Sequence, residues 1–101
     1  MNVAIFSVKK YDREFLSAAN GARHELRFFE PHLNEETVGL ATGSQAACVF
    51  VNDQVNAAVI ERLDSLGVRL IALRCTGYNN VDRAAATKHR VTVVRVPAYS
   101  P

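Results

Sequence analysis

Short apolar runs alternate with amphipathic segments along the whole chain. Apolar runs bounded by polar or turn-forming residues are typical of β-strands. Five runs have this character: residues 3–7, 24–30, 46–51, 68–73 and 91–96. The runs at 46–51 and 68–73 show no alternation, which predicts strands buried on both faces of a parallel sheet. The run at 24–30 alternates in part and is followed by Pro31, so we expect it nearer the sheet edge.

Four segments between these runs predict helices, and together they indicate the fold class. They lie at residues 11–20, 34–41, 56–66 and 81–89. Gly21 and Gly67 are expected to end the first and third helices, and Asn80 to cap the last. Strands that alternate with helices predict one α/β domain over residues 1–101, with a flavodoxin-like, doubly wound parallel sheet in the strand order 2-1-3-4-5.

Ligands of such sheets bind at the carboxyl ends of the strands, where this chain has a glycine turn. The fourth run stops at Thr76, Gly77 and Tyr78, and a helix is predicted to start soon afterwards. Unpaired backbone amides close to the positive end of a helix dipole can bind a small anion such as a carboxylate. The spacing alone leaves open whether this turn binds a ligand or only connects a strand to a helix.

Composition and charge narrow the function classes. The 101 residues have a formal net charge of +2, and their basic residues are scattered, which disfavours nucleic-acid and membrane-surface binding. No apolar run approaches the length of a membrane span. Met1 leads directly into the first predicted strand and leaves no room for a secretory signal, so we expect a cytoplasmic protein.

The cysteines and histidines indicate no metal site or proton donor. Cys48 and Cys75 are too few for a metal quartet, and Cys48 lies inside an apolar run, as a buried inert thiol would. Cys75 lies beside the glycine turn, but no base is near it in sequence. His24, His32 and His89 fall away from the strand carboxyl ends and are expected at the surface.

Two motifs resemble one enzyme family. They are Leu73-Arg74-Cys75-Thr76-Gly77-Tyr78-Asn79-Asn80-Val81-Asp82 and, downstream, Val94-Arg95-Val96-Pro97-Ala98-Tyr99-Ser100-Pro101. Both are similar to segments of the D-isomer-specific 2-hydroxyacid dehydrogenases, particularly the fermentative branch that forms D-lactate. Residues 2–7 and 49–53 match the same family, so the resemblance covers the whole chain.

The resemblance implies a substrate site built from five residues. The backbone amides of Thr76 and Gly77 would bind the substrate carboxylate, with Tyr78 beside them. Tyr99 would close the pocket, and Phe50 would form part of its wall, although Phe50 is equally well interpreted as a core residue. An aromatic pair at Tyr78 and Tyr99 narrows the pocket toward lactate-sized acids.

The resemblance also implies that the reaction needs polypeptide beyond this chain. In the family an arginine, a histidine paired with a glutamate, and a Gly-x-Gly-x-x-Gly loop that holds NAD lie after the position that matches Pro101. We therefore expect no catalytic, cofactor-binding or metal-binding residue here, and an incomplete substrate-binding domain that is inactive alone. The parent is expected to be a homo-oligomer that converts a small 2-oxoacid, pyruvate, to its D-2-hydroxy acid with NADH.

A stand-alone flavodoxin-like binding or signalling module is the alternative hypothesis. A phosphoacceptor domain needs an aspartate at the end of the third strand, where the chain has Val51 and Asn52, with Asp53 next. A flavin site needs a hydroxyl-rich loop after the first strand, where the chain has Lys9 and Lys10. If the family segments that pack back onto this domain are absent, apolar surface is left exposed and the chain is expected to self-associate.

Overall fold

The sheet and its helices follow the predicted alternation. The computed structural model describes residues 1–21, 23–74 and 80–95. Within them the strands are β1 (Asn2–Ile5), β2 (Glu25–Phe28), β3 (Ala46–Val49), β4 (Leu70–Leu73) and β5 (Thr92–Arg95). The α-helices are α1 (Lys10–Asn20), α2 (Ala57–Ser65) and α3 (Arg83–Lys88), and a 3₁₀-helix spans Val38–Ala41.

All five strands pair in parallel in the order β2-β1-β3-β4-β5, which confirms the predicted topology. β2 lies at one edge, as its partial alternation predicted. β3 lies at the centre, and all four of its residues are buried. Because the strands are parallel, their carboxyl ends meet along one edge of the sheet, which is called the carboxyl edge below.

Helices cover the two faces of the sheet unequally. On one face α2 and α3 pack onto the larger core, to which β4 contributes Ile71 and Leu73. On the other face α1 contributes Leu16 to a smaller core that includes Ile5 and Cys48. The prediction that residues 68–73 are buried on both faces is therefore only half right. Leu70 and Ala72 are partly exposed, because they line an apolar cavity of about 380 Å³ on the α1 face.

Two local predictions differ from the structure. The segment 34–41 is helical only at its end, as the 3₁₀-helix Val38–Ala41, after a turn in which Asn34 Oδ1 accepts hydrogen bonds from the amides of Glu36 (2.8 Å) and Thr37 (3.0 Å). Asp82, rather than Asn80, caps α3 by accepting a hydrogen bond from the Ala85 amide at 3.0 Å, because the Asn80 side chain donates to backbone carbonyls of the β3–α2 connection instead.

Two helix boundaries agree with the sequence. Gly21 follows α1 with a φ of 61°, which an L side chain rarely adopts. Asn56 caps α2, and its Oδ1 accepts a hydrogen bond from the Val59 amide at 2.9 Å. Among the described residues, none of the helices has the length and apolar character needed to cross a bilayer.

Candidate functional site

The carboxyl edge brings together the ends of β1, β3 and β4. Backbone pairing continues past the strands, with Phe6 N donating to Cys48 O (2.9 Å) and Arg74 N donating to Val49 O (2.8 Å). Polar side chains that are rare in a protein interior gather here. Ser7, Asp12, Asp53 and Arg74 are all buried. A buried polar group is stable only when it is hydrogen-bonded, so their partners define what this edge can do.

Asp53 is the centre of one hydrogen-bond network. Its carboxylate, 1% exposed, accepts hydrogen bonds from the Ser7 hydroxyl (2.5 Å), the Leu33 amide (2.7 Å) and the Phe50 amide (2.6 Å). These three bonds join the ends of β1 and β3 to the segment after β2. Because the carboxylate is buried and already has these donors, Asp53 is unsuited to the phosphoacceptor role that the alternative hypothesis requires.

Ser7 links Asp53 to His32. The Ser7 Oγ lies 2.6 Å from His32 Nδ1, whereas His32 Nδ1 and Asp53 Oδ1 are 4.0 Å apart. A hydroxyl has one proton, and an ionised carboxylate can only accept, so Ser7 donates to Asp53 and accepts from Nδ1–H of His32. This order differs from a nucleophilic triad, in which histidine lies between the serine and the aspartate. Ser7 therefore has a structural role here.

Two histidines depart from the sequence prediction. His32 is exposed, as predicted, but its contact with Ser7 places its ring at the carboxyl edge, from which the sequence excluded it. The reason is that the chain after β2 folds back over the end of β1, where the Ser7 amide donates to Pro31 O at 3.0 Å. His89 is only partly exposed and lies 2.8 Å from Asp64 Oδ2, near the start of β4. Hydrogen bonds from Arg69 and His89 lower the pKa of Asp64.

Arg74, the residue just before the predicted glycine turn, is anchored in the protein interior. Its side chain is 1% exposed, lies 3.2 Å from Asp12 Oδ1, and donates to the backbone carbonyl of Phe6. Asp12 also accepts a hydrogen bond from the Lys9 amide at 2.9 Å, so the pair joins β4 to the start of α1. The guanidinium carbon lies 5.3 Å from the centre of the Phe50 ring. Arg74 thus points into the protein, which does not suit a substrate clamp.

Asn80, the residue just after the same predicted turn, is also anchored. Its side-chain Nδ2 donates to the carbonyls of Phe50 (2.9 Å) and Asp53 (3.1 Å). Its backbone carbonyl accepts from the Val55 amide at 3.0 Å, and Asp82 N donates to Val55 O at 2.9 Å. The segment after the turn is therefore attached to the β3–α2 connection by both backbone and side chain.

Of the five residues predicted to contact substrate, only Phe50 is among those described. It lies partly buried at the end of β3. Thr76, Gly77, Tyr78 and Tyr99 lie outside the described residues, as does Cys75. The carboxylate-binding turn and the tyrosine that closes the pocket remain predictions. Phe50 occupies the carboxyl edge, as its proposed role requires, while its contact with buried Arg74 also fits a core residue.

Neither a metal nor NAD has a site that can be built from the described part of the chain. No group of three or more His, Cys, Asp or Glu side chains there could hold a metal ion. No glycine of the sequence lies in a Gly-x-Gly-x-x-Gly motif, the loop that binds a dinucleotide pyrophosphate, and an NAD site on other polypeptide stays a prediction. Cys48 is a free, buried thiol, and burial raises its pKa to about 11.

The parallel sheet and its strand order define a flavodoxin-like α/β domain. Residues 3–101 match the family profile described as D-isomer specific 2-hydroxyacid dehydrogenase, catalytic domain. The chain belongs to this family.

Individual relatives agree with that assignment. The chain is 52% identical to a 2-hydroxyacid dehydrogenase homolog of Zymomonas mobilis and 47% identical to D-lactate dehydrogenase of Escherichia coli, in both cases over the whole chain and 31% of the relative. The apo structure of the Escherichia coli enzyme superposes with a TM-score of 0.94, over 100% of this chain and 32% of that one. This chain thus spans about a third of the length of its relatives.

A second solved structure concerns the cofactor. The NAD-complexed D-isomer specific 2-hydroxyacid dehydrogenase of Lactobacillus delbrueckii ssp. bulgaricus is 25% identical, with a TM-score of 0.88. The match covers 100% of this chain and 31% of that one. Relatives of this domain therefore include an enzyme with bound NAD.

Proposed function

We propose that this chain is the substrate-binding part of an NAD-dependent D-lactate dehydrogenase and is inactive by itself. The parent protein reduces pyruvate with NADH to D-lactate. The amides of Thr76 and Gly77 bind the pyruvate carboxylate, Tyr78 and Tyr99 narrow the pocket, and Phe50 forms part of its wall. The catalytic residues and the NAD site belong to polypeptide outside this chain.

One observation carries this proposal. Arg74 and Asn80, the two described residues that flank the turn at 75–79, both contact Phe50, the described member of the predicted pocket. The predicted wall residue and the two residues that flank positions 75–79 therefore belong to one structural unit at the carboxyl edge. This is where an α/β sheet binds its ligands.

Backbone amides suit a carboxylate at this edge for an electrostatic reason. Among the buried charged side chains nearby, Asp12 and Arg74 are already paired with each other, and Asp53 already accepts three hydrogen bonds. A second buried cation for the substrate would cost several kcal/mol of desolvation before it paired. Amides that a turn holds in place bind an anion without that cost. This supports a role for main-chain groups in binding and leaves the reaction to the rest of the parent.

A chimera tests the proposal. The chain is joined in frame to the remaining two-thirds of the Escherichia coli D-lactate dehydrogenase, and NADH oxidation is followed with pyruvate. We expect turnover in the chimera, D-lactate as the product on chiral chromatography, and no turnover by the 101-residue chain or by the Escherichia coli segment alone. The proposal would be refuted by a folded chimera that fails to oxidise NADH whichever 2-oxoacid is supplied.

The remaining parts of the proposal concern the parent protein. We infer a homo-oligomer located in the cytoplasm that acts on small 2-oxoacids and 2-hydroxy acids and binds neither nucleic acid nor membrane. Support comes from the near-balanced charge of +2 and from the family membership. Sedimentation of the purified parent checks the oligomeric state.

A further inference from the structure

A polar cavity lies at the edge of the sheet where the strands begin, opposite the carboxyl edge. It has a volume of about 470 Å³ and is lined by Asp64, Arg69, Lys88, His89 and Arg90. Arg69 directly precedes β4 and Arg90 lies shortly before β5, so the cavity is placed where these two neighbouring strands start. Its residues are scattered in the sequence, and the fold brings them together.

This cavity carries an excess of positive charge. Arg69, Lys88 and Arg90 are cations, and Asp64 is the one carboxylate among the described residues that line it, which leaves two positive charges in excess with His89 neutral. Both oxygens of Asp64 are already in use, because Oδ1 accepts from Arg69 and Oδ2 lies 2.8 Å from His89 Nδ1. The excess charge is therefore that of Lys88 and Arg90.

Lys88 and Arg90 have the chemistry that recognises phosphate. Both are exposed, and within the described part of the chain neither side chain has a hydrogen bond or an ion pair. An ammonium group supplies a compact positive charge, and a guanidinium supplies a planar fork of N–H donors that matches two phosphate oxygens. The cavity volume falls in the range of small-molecule sites, so it has room for a group attached to the phosphate.

The backbone of Arg90 gives a second, independent observation. α3 ends in a Schellman motif, in which the Arg90 amide donates to Thr87 O at 3.1 Å. The Val91 amide donates to Ala86 O at 2.8 Å in the same motif. Arg90 occupies the left-handed position of this motif, with a φ of 58°, where glycine is the usual residue. Helix termination alone would favour glycine, so the arginine side chain has another use, and retained strain of this kind is typical of functional sites.

We propose that this cavity binds a phosphate group, free or on a small phosphorylated molecule, through Lys88 and Arg90. The inference goes beyond the proposed function, because it uses neither the carboxyl edge nor residues 75–79. The rival role for these cations is to stabilise the negative end of the α3 dipole, which needs no ligand. The two roles differ in what happens when glycine replaces Arg90.

Isothermal titration calorimetry of the 101-residue chain tests the proposal with two probes, inorganic phosphate and glycerol 3-phosphate. The ionic strength is held constant, so that general screening of surface charge does not change during the titration. We expect saturable binding. Equal affinities would identify free phosphate as the ligand, and tighter binding of glycerol 3-phosphate would identify a phosphorylated molecule. Lys88→Gln and Arg90→Gly should each weaken binding about tenfold, the loss expected for one charge-assisted hydrogen bond.

Arg90→Gly separates binding from folding, because glycine adopts a φ of 58° without strain and the melting temperature should not fall. Lys10→Gln is the matched control for Lys88→Gln. Lys10 is also exposed, but it lies at the start of α1 near the carboxyl edge, so its loss should leave the affinity unchanged. The proposal is overturned if the unsubstituted chain shows no saturable binding, or if Arg90→Gly binds both probes with unchanged affinity. Neither result depends on whether the chimera reduces pyruvate.

Discussion

At the scale of single residues, burial decides the chemistry of Cys48. Its thiol lies in β3, is 7% exposed, and has a pKa raised by burial from 9.0 to about 11. A thiolate is the reactive form of cysteine, so this residue should resist alkylation while the domain is folded. The same rise in pKa makes folding depend on pH.

The sign of that dependence follows from the two pKa values. Below about pH 9 the thiol is protonated in both states and its stabilising contribution is complete, and the contribution is lost as the pH rises through about 11. Two proteins are compared, Cys75→Ala and the same variant with Cys48→Ala added, so that they differ only in the Cys48 thiol. Between about pH 8 and 11 we expect the unfolding free energy of the first to fall by about 2 kcal/mol more than that of the second. Urea titrations measure this difference. Parallel pH profiles would contradict it.

Asp53 and His32 show why single residues at the carboxyl edge were hard to predict. The sequence placed Asp53 next to the end of the third strand, but its three donors come from Ser7, Leu33 and Phe50, two of which are distant in sequence. His32 reaches Ser7 only because the chain folds back after β2. The usable signal was a pair of polar residues near the ends of two apolar runs, since Ser7 is the last residue of the first run and Asp53 lies two residues after the third.

At the scale of elements, α3 depends on Asp82, the residue that caps its start. The helix has only six residues, Arg83–Lys88, so one unsatisfied amide at its start is a large part of its hydrogen bonding. Asp82 accepts a hydrogen bond from Ala85 N at 3.0 Å. We expect Asp82→Ala to lower the unfolding free energy by about 1 kcal/mol and Asp82→Asn, which also caps well, to have little effect. Urea unfolding compares the two variants, and equal losses would mean that the charge matters rather than the cap.

Periodicity predicted the strands and helices well because local composition determines them. The order β2-β1-β3-β4-β5 could also be predicted, since parallel alternation allows few topologies. The sequence could not show that the segment after Asn34 would form a turn and a 3₁₀-helix rather than an α-helix, because the same side-chain bonds from Asn34 to the Glu36 and Thr37 amides can precede either. Likewise Asn80 and Asp82 are both acceptable caps, and tertiary contacts decide between them.

At the scale of the whole molecule, one sheet face lacks a full helical cover among the described residues. Val94 in β5 is 40% exposed and pairs in register with Ala72 of β4, which lines the apolar cavity of about 380 Å³. Uncovered apolar surface of this kind favours association. The sequence predicted such a surface from the family resemblance rather than from the pattern of β4, which indicated complete burial.

We therefore expect the chain to associate as its concentration rises. Val94→Lys should weaken association without lowering stability, because the position is already exposed. Val51→Lys is the matched control, since Val51 is 56% exposed but lies at the carboxyl edge. Sedimentation velocity over a concentration series measures both variants. A chain that sediments as a monomer at every concentration would contradict the expectation.

We propose that the predicted turn between Arg74 and Asn80 binds the acid group of the substrate through its main chain. Titration of the ¹⁵N-labelled chimera with oxamate, an unreactive analogue of pyruvate, in the presence of NADH tests this directly. We expect saturable shifts of the Thr76 and Gly77 amide resonances that persist in Thr76→Ala, because no side chain is needed. Oxamate binding that leaves both amide resonances unmoved would contradict it.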